Sequence, residues 1–410
     1  MRLLKYICMI GILTSTNGFF IGSGFSDLDE FGLRNLLHFE HPEFGYRIIG
    51  LEAGVLNNSF TLSQYNQYSG AFLDNRAKDE ILHSIPETGM WLNAGANLTG
   101  FDLIFRNFGF SVFGTGSYDL KIPKDVFDLA LYGNQINRRY EADGLSRQSI
   151  SFWGISASHN LRIKQRFQFG LAARYLSGIS IFETLRSQGY LLTTPTYVAS
   201  EGSLSYRLGR GGNGAGLDLI FSYDILPDLR TILALINLNT GMNWTKNPEL
   251  GQFSFNLDSI NWSRLQKEDF FTENDSRKAT EPFRTALPFY LILGTSYRLC
   301  PSLRTGFILK QIFNESSTNR LPRLFGTLEF RGLRFLPLEC GLSVGGSEGF
   351  GMYYSIGFIY RKFSWSYSVH DLGGFFLGAK GTTINFFFGY NLYPVLPNKP
   401  STRQLPKPSK

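Results

Sequence analysis

Residues 350–391 read FGMYYSIGFIYRKFSWSYSVHDLGGFFLGAKGTTINFFFGYN. Taken two at a time, Met352, Tyr354, Ile356, Phe358 and Tyr360 share one face, while Gly351, Tyr353, Ser355 and Gly357 share the other. Arg361 and Lys362 make a tight turn, and Phe363, Trp365, Tyr367 and Val369 then alternate with Ser364, Ser366, Ser368 and His370. After a glycine-rich loop, Ile384, Phe386, Phe388 and Tyr390 alternate with Thr383, Asn385, Gly389 and Asn391. Each run has about ten residues, enough to cross a bilayer core as a tilted strand. One face is apolar and aromatic, the other small and polar. That is the pattern of a transmembrane β-barrel, lipid-facing outside and wet inside.

The whole chain is compatible with that reading. Its 410 residues are 15% aromatic and 18% charged, with 44 glycines. Mean hydropathy is −0.09, because a barrel hides its apolar residues in alternation. No apolar run reaches the eighteen or so residues of a spanning helix, which excludes a helical membrane protein. The formal charge is +7. Arg2 and Lys5 at the start, with Lys399, Arg403, Lys407 and Lys410 in the tail, leave +1 for the body. A basic chain of this kind does not point to nucleic acid.

The ends carry their own signals. Arg2 and Lys5, a short apolar run (Tyr6 to Leu13) and small residues to Gly18 read as a signal peptide over residues 1–18. Residues 19–45 have no clear period beyond a helix-like patch at Phe31–Leu37, and form a candidate periplasmic plug. The barrel is expected over residues 46–393. The Pro- and Lys-rich stretch 394–410 is expected to be a disordered periplasmic tail. Of the three cysteines, Cys8 lies in the leader; Cys300 and Cys340 could pair or stay free.

Between these ends, strands are expected at 46–57, 90–105, 110–119, 147–158, 167–183, 215–224, 230–240, 285–297, 303–313, 322–331 and 335–345. The three opening runs bring the total to about fourteen. Long excursions are placed at 58–88, 120–146, 184–214 and 241–284, with helices near Asp74–Ile85 and from Pro123. In the second strand the apolar set changes from even (Leu92, Ala94, Ala96, Leu98) to odd (Phe101, Leu103, Phe105). One extra residue at Thr99-Gly100, a β-bulge, reconciles the two. An additional hairpin is expected within 241–284, where Phe253, Phe255 and Leu257 alternate, to keep strand parity. Long loops then lie outside and both termini in the periplasm.

No catalytic constellation or metal motif stands out, no cofactor is implied, and the chain does not read as an enzyme. Gly209-x-Gly211-x-x-Gly214 matches a dinucleotide fingerprint by letter, but lacks the strand and helix that fingerprint needs and reads as a loop. His38, Glu40, His41 and Glu43 lie close together without a known ligand spacing. Charged residues on lumen-facing positions are Asp102, Arg174, Asp218 and Arg304, then Lys310, Glu329, Arg331 and Glu339. Their mixed signs suggest internal ion pairs rather than a single-sign selectivity ring.

Several short stretches resemble the FadL-like outer-membrane barrels, in a branch known only as a domain of unknown function. They are Asn57-Asn58-Ser59-Phe60, Ile122-Pro123-Lys124-Asp125-Val126-Phe127, Asn243-Trp244, Pro322-Arg323-Leu324, and Phe335-Leu336-Pro337-Leu338 running to Gly345-Gly346. The resemblance implies a fourteen-stranded barrel, an N-terminal plug, and passage of hydrophobic molecules toward a lateral opening. His41-Pro42-Glu43 stands where the fatty-acid transporter carries Asn-Pro-Ala, so no ligand-binding residue carries over. The expectation is passive uptake of a hydrophobic or amphipathic small molecule across a Gram-negative-type outer membrane. Phe72, Leu73, Leu129, Leu131, Leu191 and Leu192 in the excursions are the candidate ligand-capturing residues. The alternatives are a barrel that anchors or shuttles envelope proteins and, further off, an outer-membrane hydrolase. Expected partners are outer-membrane lipid, a hydrophobic ligand, and the barrel-assembly machinery reading Tyr390 or Tyr393, with no nucleic acid.

Overall fold

The computed structural model describes residues 44–105, 108–163, 166–261, 271–313, 321–333, 335–346, 349–370 and 380–392. The leader, the candidate plug up to residue 43, the His38–Glu43 cluster and the tail lie outside the described residues, and Phe44 and Gly45, expected in the plug, open the first strand. Strands in chain order are β1 (Phe44–Asn57), β2 (Met90–Phe105), β3 (Phe108–Ile122), β4 (Arg139–Glu141), β5 (Ser146–Ile163) and β6 (Phe167–Thr193). Next come β7 (Tyr197–Leu226), β8 (Leu229–Asn261), β9 (Phe271–Ala279), β10 (Phe283–Ala286), β11 (Phe289–Cys300) and β12 (Leu303–Phe313). The last are β13 (Arg323–Phe330), β14 (Leu338–Gly345), β15 (Gly349–Tyr360), β16 (Phe363–His370) and β17 (Gly381–Leu392). Strands β4, β9 and β10 are short additions at one end. The other fourteen form a closed antiparallel barrel in which each pairs with its neighbour along the chain and β17 pairs back onto β1.

Closure leaves no barrel edge, so every spanning strand has its backbone paired on both sides. Side chains alternate as the sequence requires. On β12 the inward Arg304, Ile308 and Lys310 are buried, while the outward Phe307 is 62% exposed. Apolar exposure of this extent around a whole molecule belongs in lipid, not water. Aromatics crowd the end with short turns: Phe105 and Phe108 flank the β2–β3 turn, and Tyr360 and Phe363 the β15–β16 turn, all exposed. Such a girdle sits at a membrane interface. No helix among the described residues is long and apolar enough to cross a membrane.

The change of parity in β2 is a bulge where expected. Its register against β3 shifts between Thr99 and Phe101. Buried positions accordingly pass from Asn93, Asn97 and Thr99 to Asp102, and Leu98 and Phe105 both stay outside.

Three expectations are corrected. The span 184–214 is not a loop: β6 and β7 continue through it as a paired hairpin, from Ser180↔Arg210 up to Thr193↔Val198. Beyond the bilayer both faces meet water, so Ser, Arg, Glu and Gly occupy a strand without apolar alternation. The glycine run Gly209–Gly214 therefore lies in β7. The hairpin inside 241–284 exists, as the upper half of β8 pairing Glu249–Leu257 with β9. It extends the sheet away from the barrel, and strand parity does not depend on it. Finally, the strand expected at 285–297 is two, β10 and β11, broken at Leu287-Pro288, where proline offers no N–H to the ladder.

Among the described residues, three helices cap the same end. Helix α1 (Leu62–Tyr68) starts with a capping box, Thr61 Oγ1 accepting from Gln64 N while Gln64 Oε1 accepts from Thr61 N. Helix α2 (Asn75–Ser84) is capped by Asp74, and α3 (Lys124–Tyr132) follows Pro123 at its N-cap. The Asn57-Asn58-Ser59-Phe60 stretch proves to be a seam. Asn57 Oδ1 accepts from Ser59 N at 2.8 Å and Asn57 Nδ2 donates to Lys380 O at 2.7 Å. Lys380 Nζ donates to Asn58 O at 2.6 Å, so the first and last strands are tied at the helical end of the barrel.

Candidate functional site

The inner wall is not uniform. Inward positions of β2, β3 and β14–β17 are mostly Ser, Thr, Asn and a few acids, among them Asn97, Ser111, Ser343, Ser355 and Ser368, all buried. On the opposite side, β6–β8 and β11–β13 turn Ala172, Ile220, Ala234, Ile236, Ile292 and Ile308 inward as one packed apolar cluster with Tyr290. A second apolar cluster lies nearer the long-excursion end, made of Phe113, Phe152, Leu176, Ile181, Met242, Trp244 and Leu287 with Ile150. Alternation along each strand dictates both. The apolar members were invisible as lumen residues in sequence, because their strands carry apolar residues on both faces.

Between the two clusters the wall is irregular. Along β8, Asn237 and Asn239 have left-handed backbone, φ 62° and 47°. Asparagine tolerates that region better than other L-residues with a branched or bulky side chain. Register against β7 shifts on either side of Leu217, with Ala215↔Gly241, Leu217↔Leu238 and Leu219↔Leu235. On the other flank, the β8–β11 ladder stops at Ile236↔Tyr290 and resumes as β8–β10 at Gly241↔Ala286. What crosses the gap is mainly side chain. Asn237 Nδ2 donates to Pro288 O at 2.8 Å, and one main-chain bond, Leu287 N to Thr240 O at 3.0 Å, accompanies it.

Arg174 and Asp218 hold the inner side of this gap. Their ion pair is 2.5 Å long. Asp218 Oδ1 also accepts from Asn237 N at 2.8 Å, and Arg174 donates to Asn237 Oδ1. A buried network of this kind fixes geometry because each member has few alternatives. Two asparagines inside an otherwise apolar strand, Ile236-Asn237-Leu238-Asn239, were the available sequence signal.

The other charged lumen positions fall elsewhere. Arg304 and Arg331 converge on Glu329, at 3.8 and 2.6 Å, near the short-turn end. Glu339 is the register partner of Glu329, and Lys310 of Arg323, with Lys310 Nζ 5.2 Å from the Tyr290 ring centre. Asp102 is buried on β2 opposite Ser111. Cys300 and Cys340 are both free and exposed. No group of metal-ligating side chains occurs among the described residues.

The excursion residues gather at the end opposite the short turns. Phe72 stands 97% exposed between α1 and α2, with Leu73 half-buried beside it. Leu129 and Leu131 lie on α3, which contacts α2 and β4; β4 pairs with Leu191 and Leu192 of β6. Tyr132 on α3 donates to Asp79 on α2, and that carboxylate raises the phenol to about 12. Three separate excursions thereby become one layer.

The chain belongs to a family of unknown function, DUF5723, whose model matches residues 43–208 and 198–364. No curated protein matches it by sequence. Solved structures similar in architecture include the toluene transporter TodX of P. putida, with TM-score 0.48 and 9% identity over 86% of this chain and 91% of that one. The Ralstonia pickettii toluene transporter TbuX scores 0.44 at 10% identity, over 85% and 90% of the two chains. A Pseudomonas aeruginosa FadL homologue scores 0.43 at 10% identity, also over 85% and 90%. These are likenesses of fold to FadL-type barrels, and what those proteins carry is a property of theirs.

Proposed function

We propose that this protein is an outer-membrane channel for passive uptake of hydrophobic or amphipathic small molecules. The observation that carries the reading is an apolar inner sector that runs up to an irregular stretch of wall. A molecule partitioning from the helical cap would meet the upper cluster, then the interrupted ladder between β7, β8 and β11, and leave sideways into the bilayer. The chemistry is partition and diffusion, with no covalent step. In this reading the long excursions face outward, both chain ends are periplasmic, and the assembly machinery and outer-membrane lipid are the obligate partners of folding.

A cysteine staple across the gap tests it. In a Cys300→Ser/Cys340→Ser background, Leu217→Cys with Leu238→Cys joins register partners, and Phe110→Cys with Ala157→Cys is a control pair elsewhere in the wall. Uptake of a fluorescent apolar dye by cells should fall when the first staple is oxidised and recover on reduction, with the control unaffected. Equal uptake with and without the protein would sink the channel reading. Protein-dependent uptake indifferent to the staple would move the exit elsewhere.

The anchoring alternative has one observation of its own. Strands β6–β9 project past the rest of the barrel as a sheet, on the order of 45 Å of strand at about 3.3 Å per residue. Protein-independent dye uptake together with a co-purifying envelope protein lost on trimming that sheet would favour the anchor.

A further inference from the structure

Two buried polar atoms lie in and beside the upper apolar cluster, one on its member Trp244 and one on the adjoining Thr285. Trp244 is completely buried, and its Nε1–H has no acceptor among the described residues. Thr285 is 5% exposed, and its Oγ1 has no partner among the described residues. Both side chains are buried beside members of the cluster. Trp244 is the register partner of Phe283, and Thr285 of Met242. Thr285 also lies between Phe283 and Leu287 on the same face of its segment, and both of those pack in the cluster.

An indole N–H and a hydroxyl left unmatched in an apolar interior cost free energy that Phe and Val at the same places would not. Everything else about the site is tailored. An added Cβ at Gly178 would lie 2.6 Å from Cζ3 of Trp244, and one at Gly209 would lie 2.9 Å from its Cβ, so two glycines make the bed for that ring. The charges stop at the boundaries. Arg207 and Glu183 pair at 2.5 Å at the mouth, with the Arg207 guanidinium 4.5 Å from the Phe283 ring centre. Arg174, two residues from Leu176 on the inward face, closes the other side with Asp218.

We infer that this cluster is a selective station for an uncharged, largely apolar molecule carrying one oxygen acceptor: a ketone, aldehyde, ester or ether rather than a carboxylate or a bare hydrocarbon. Trp244 Nε1–H donates to the oxygen, and Thr285 Oγ1 can add a second bond to it. The apolar side chains part to receive the carbon frame. A carboxylate would surrender its hydration with only neutral donors in return. A hydrocarbon would leave both polar atoms unmatched. The inference rests on the uptake reading and gives its ligand a chemical class.

The test compares two molecules of nearly the same shape, 2-acetylnaphthalene and 2-isopropylnaphthalene, by equilibrium dialysis against the purified full-length barrel in detergent, with protein-free micelles as the blank. The ketone should bind about five- to tenfold more tightly than the hydrocarbon, the effect of one net hydrogen bond. Trp244→Phe should remove that preference while keeping hydrocarbon binding. Thr285→Val, close in volume, is the second variant and should reduce the preference. Heat-modifiable migration on gels confirms that each variant is folded. Equal binding of the two compounds to the natural protein, or a preference that survives in folded Trp244→Phe, overturns the inference and leaves uptake standing. Binding of neither compound removes the uptake reading along with it.

Discussion

Arg174 on β6 and Asp218 on β7 form an ion pair 2.5 Å long in which neither side chain reaches solvent. They sit on neighbouring strands beside a place where β8 leaves regular pairing on both flanks. The pair therefore does two things: it neutralises charge inside the barrel and it holds Asn237 in a left-handed conformation through Asp218 Oδ1.

Removing one partner should be far worse than removing both. Arg174→Met or Asp218→Leu alone leaves an uncompensated buried charge, with an expected loss of about 3–5 kcal/mol. The double variant should recover most of that. Urea unfolding of the refolded barrel, followed by tryptophan fluorescence, gives the comparison. Single and double variants equally unstable would mean that the pair is not coupled.

The Trp244 bed gives a steric prediction. Gly178→Ala places a methyl group against the indole, and overpacking of this kind should cost about 1–3 kcal/mol. Gly100→Ala should be silent, since an added Cβ there meets nothing within 4 Å. Midpoints of thermal unfolding for the two variants should differ, and equal midpoints would place Trp244 elsewhere.

Gly100 itself is needed for its backbone rather than its lack of side chain. Deleting it removes the extra residue of the β2 bulge. Either Leu92–Leu98 or Phe101–Phe105 must then turn inward. The deletion should abolish heat-modifiable folded protein, whereas Gly100→Ala folds.

The cap should respond to strong alkali. Tyr132 is raised from 10.0 to about 12, chiefly by its hydrogen bond to Asp79. A group that keeps its proton better when folded favours the folded contact fully below pH 10, and that contribution is lost as pH rises through about 12. The difference in phenolate absorbance between the natural protein and Tyr132→Phe should titrate near 12. In Asp79→Asn it should move back toward 10.

The sequence by itself determined the barrel. Alternation from Phe350 to Asn391 requires one lipid face and one lumen face, and the same two-residue period repeated upstream gave fourteen crossings. Even the bulge at Gly100 was legible, because a change of parity has only one economical cause in a strand. The buried inward position of Asp218 followed from the same period. Alternation stops being informative where both faces meet the same surroundings. In water beyond the bilayer, Thr184–Gly212 shows no apolar rhythm and still pairs as β6 and β7, because the backbone ladder begun in the membrane continues. Ile220, Ala234 and Ile292 have apolar neighbours on either side along the chain, so only closure of the barrel decides that they face inward. Meetings across strands are likewise tertiary: Arg174 with Asp218 and Asn237, Trp244 on Gly178, and Asn237 with Pro288 each join residues far apart in sequence. A period says which way a side chain points, but register and closure decide what it meets.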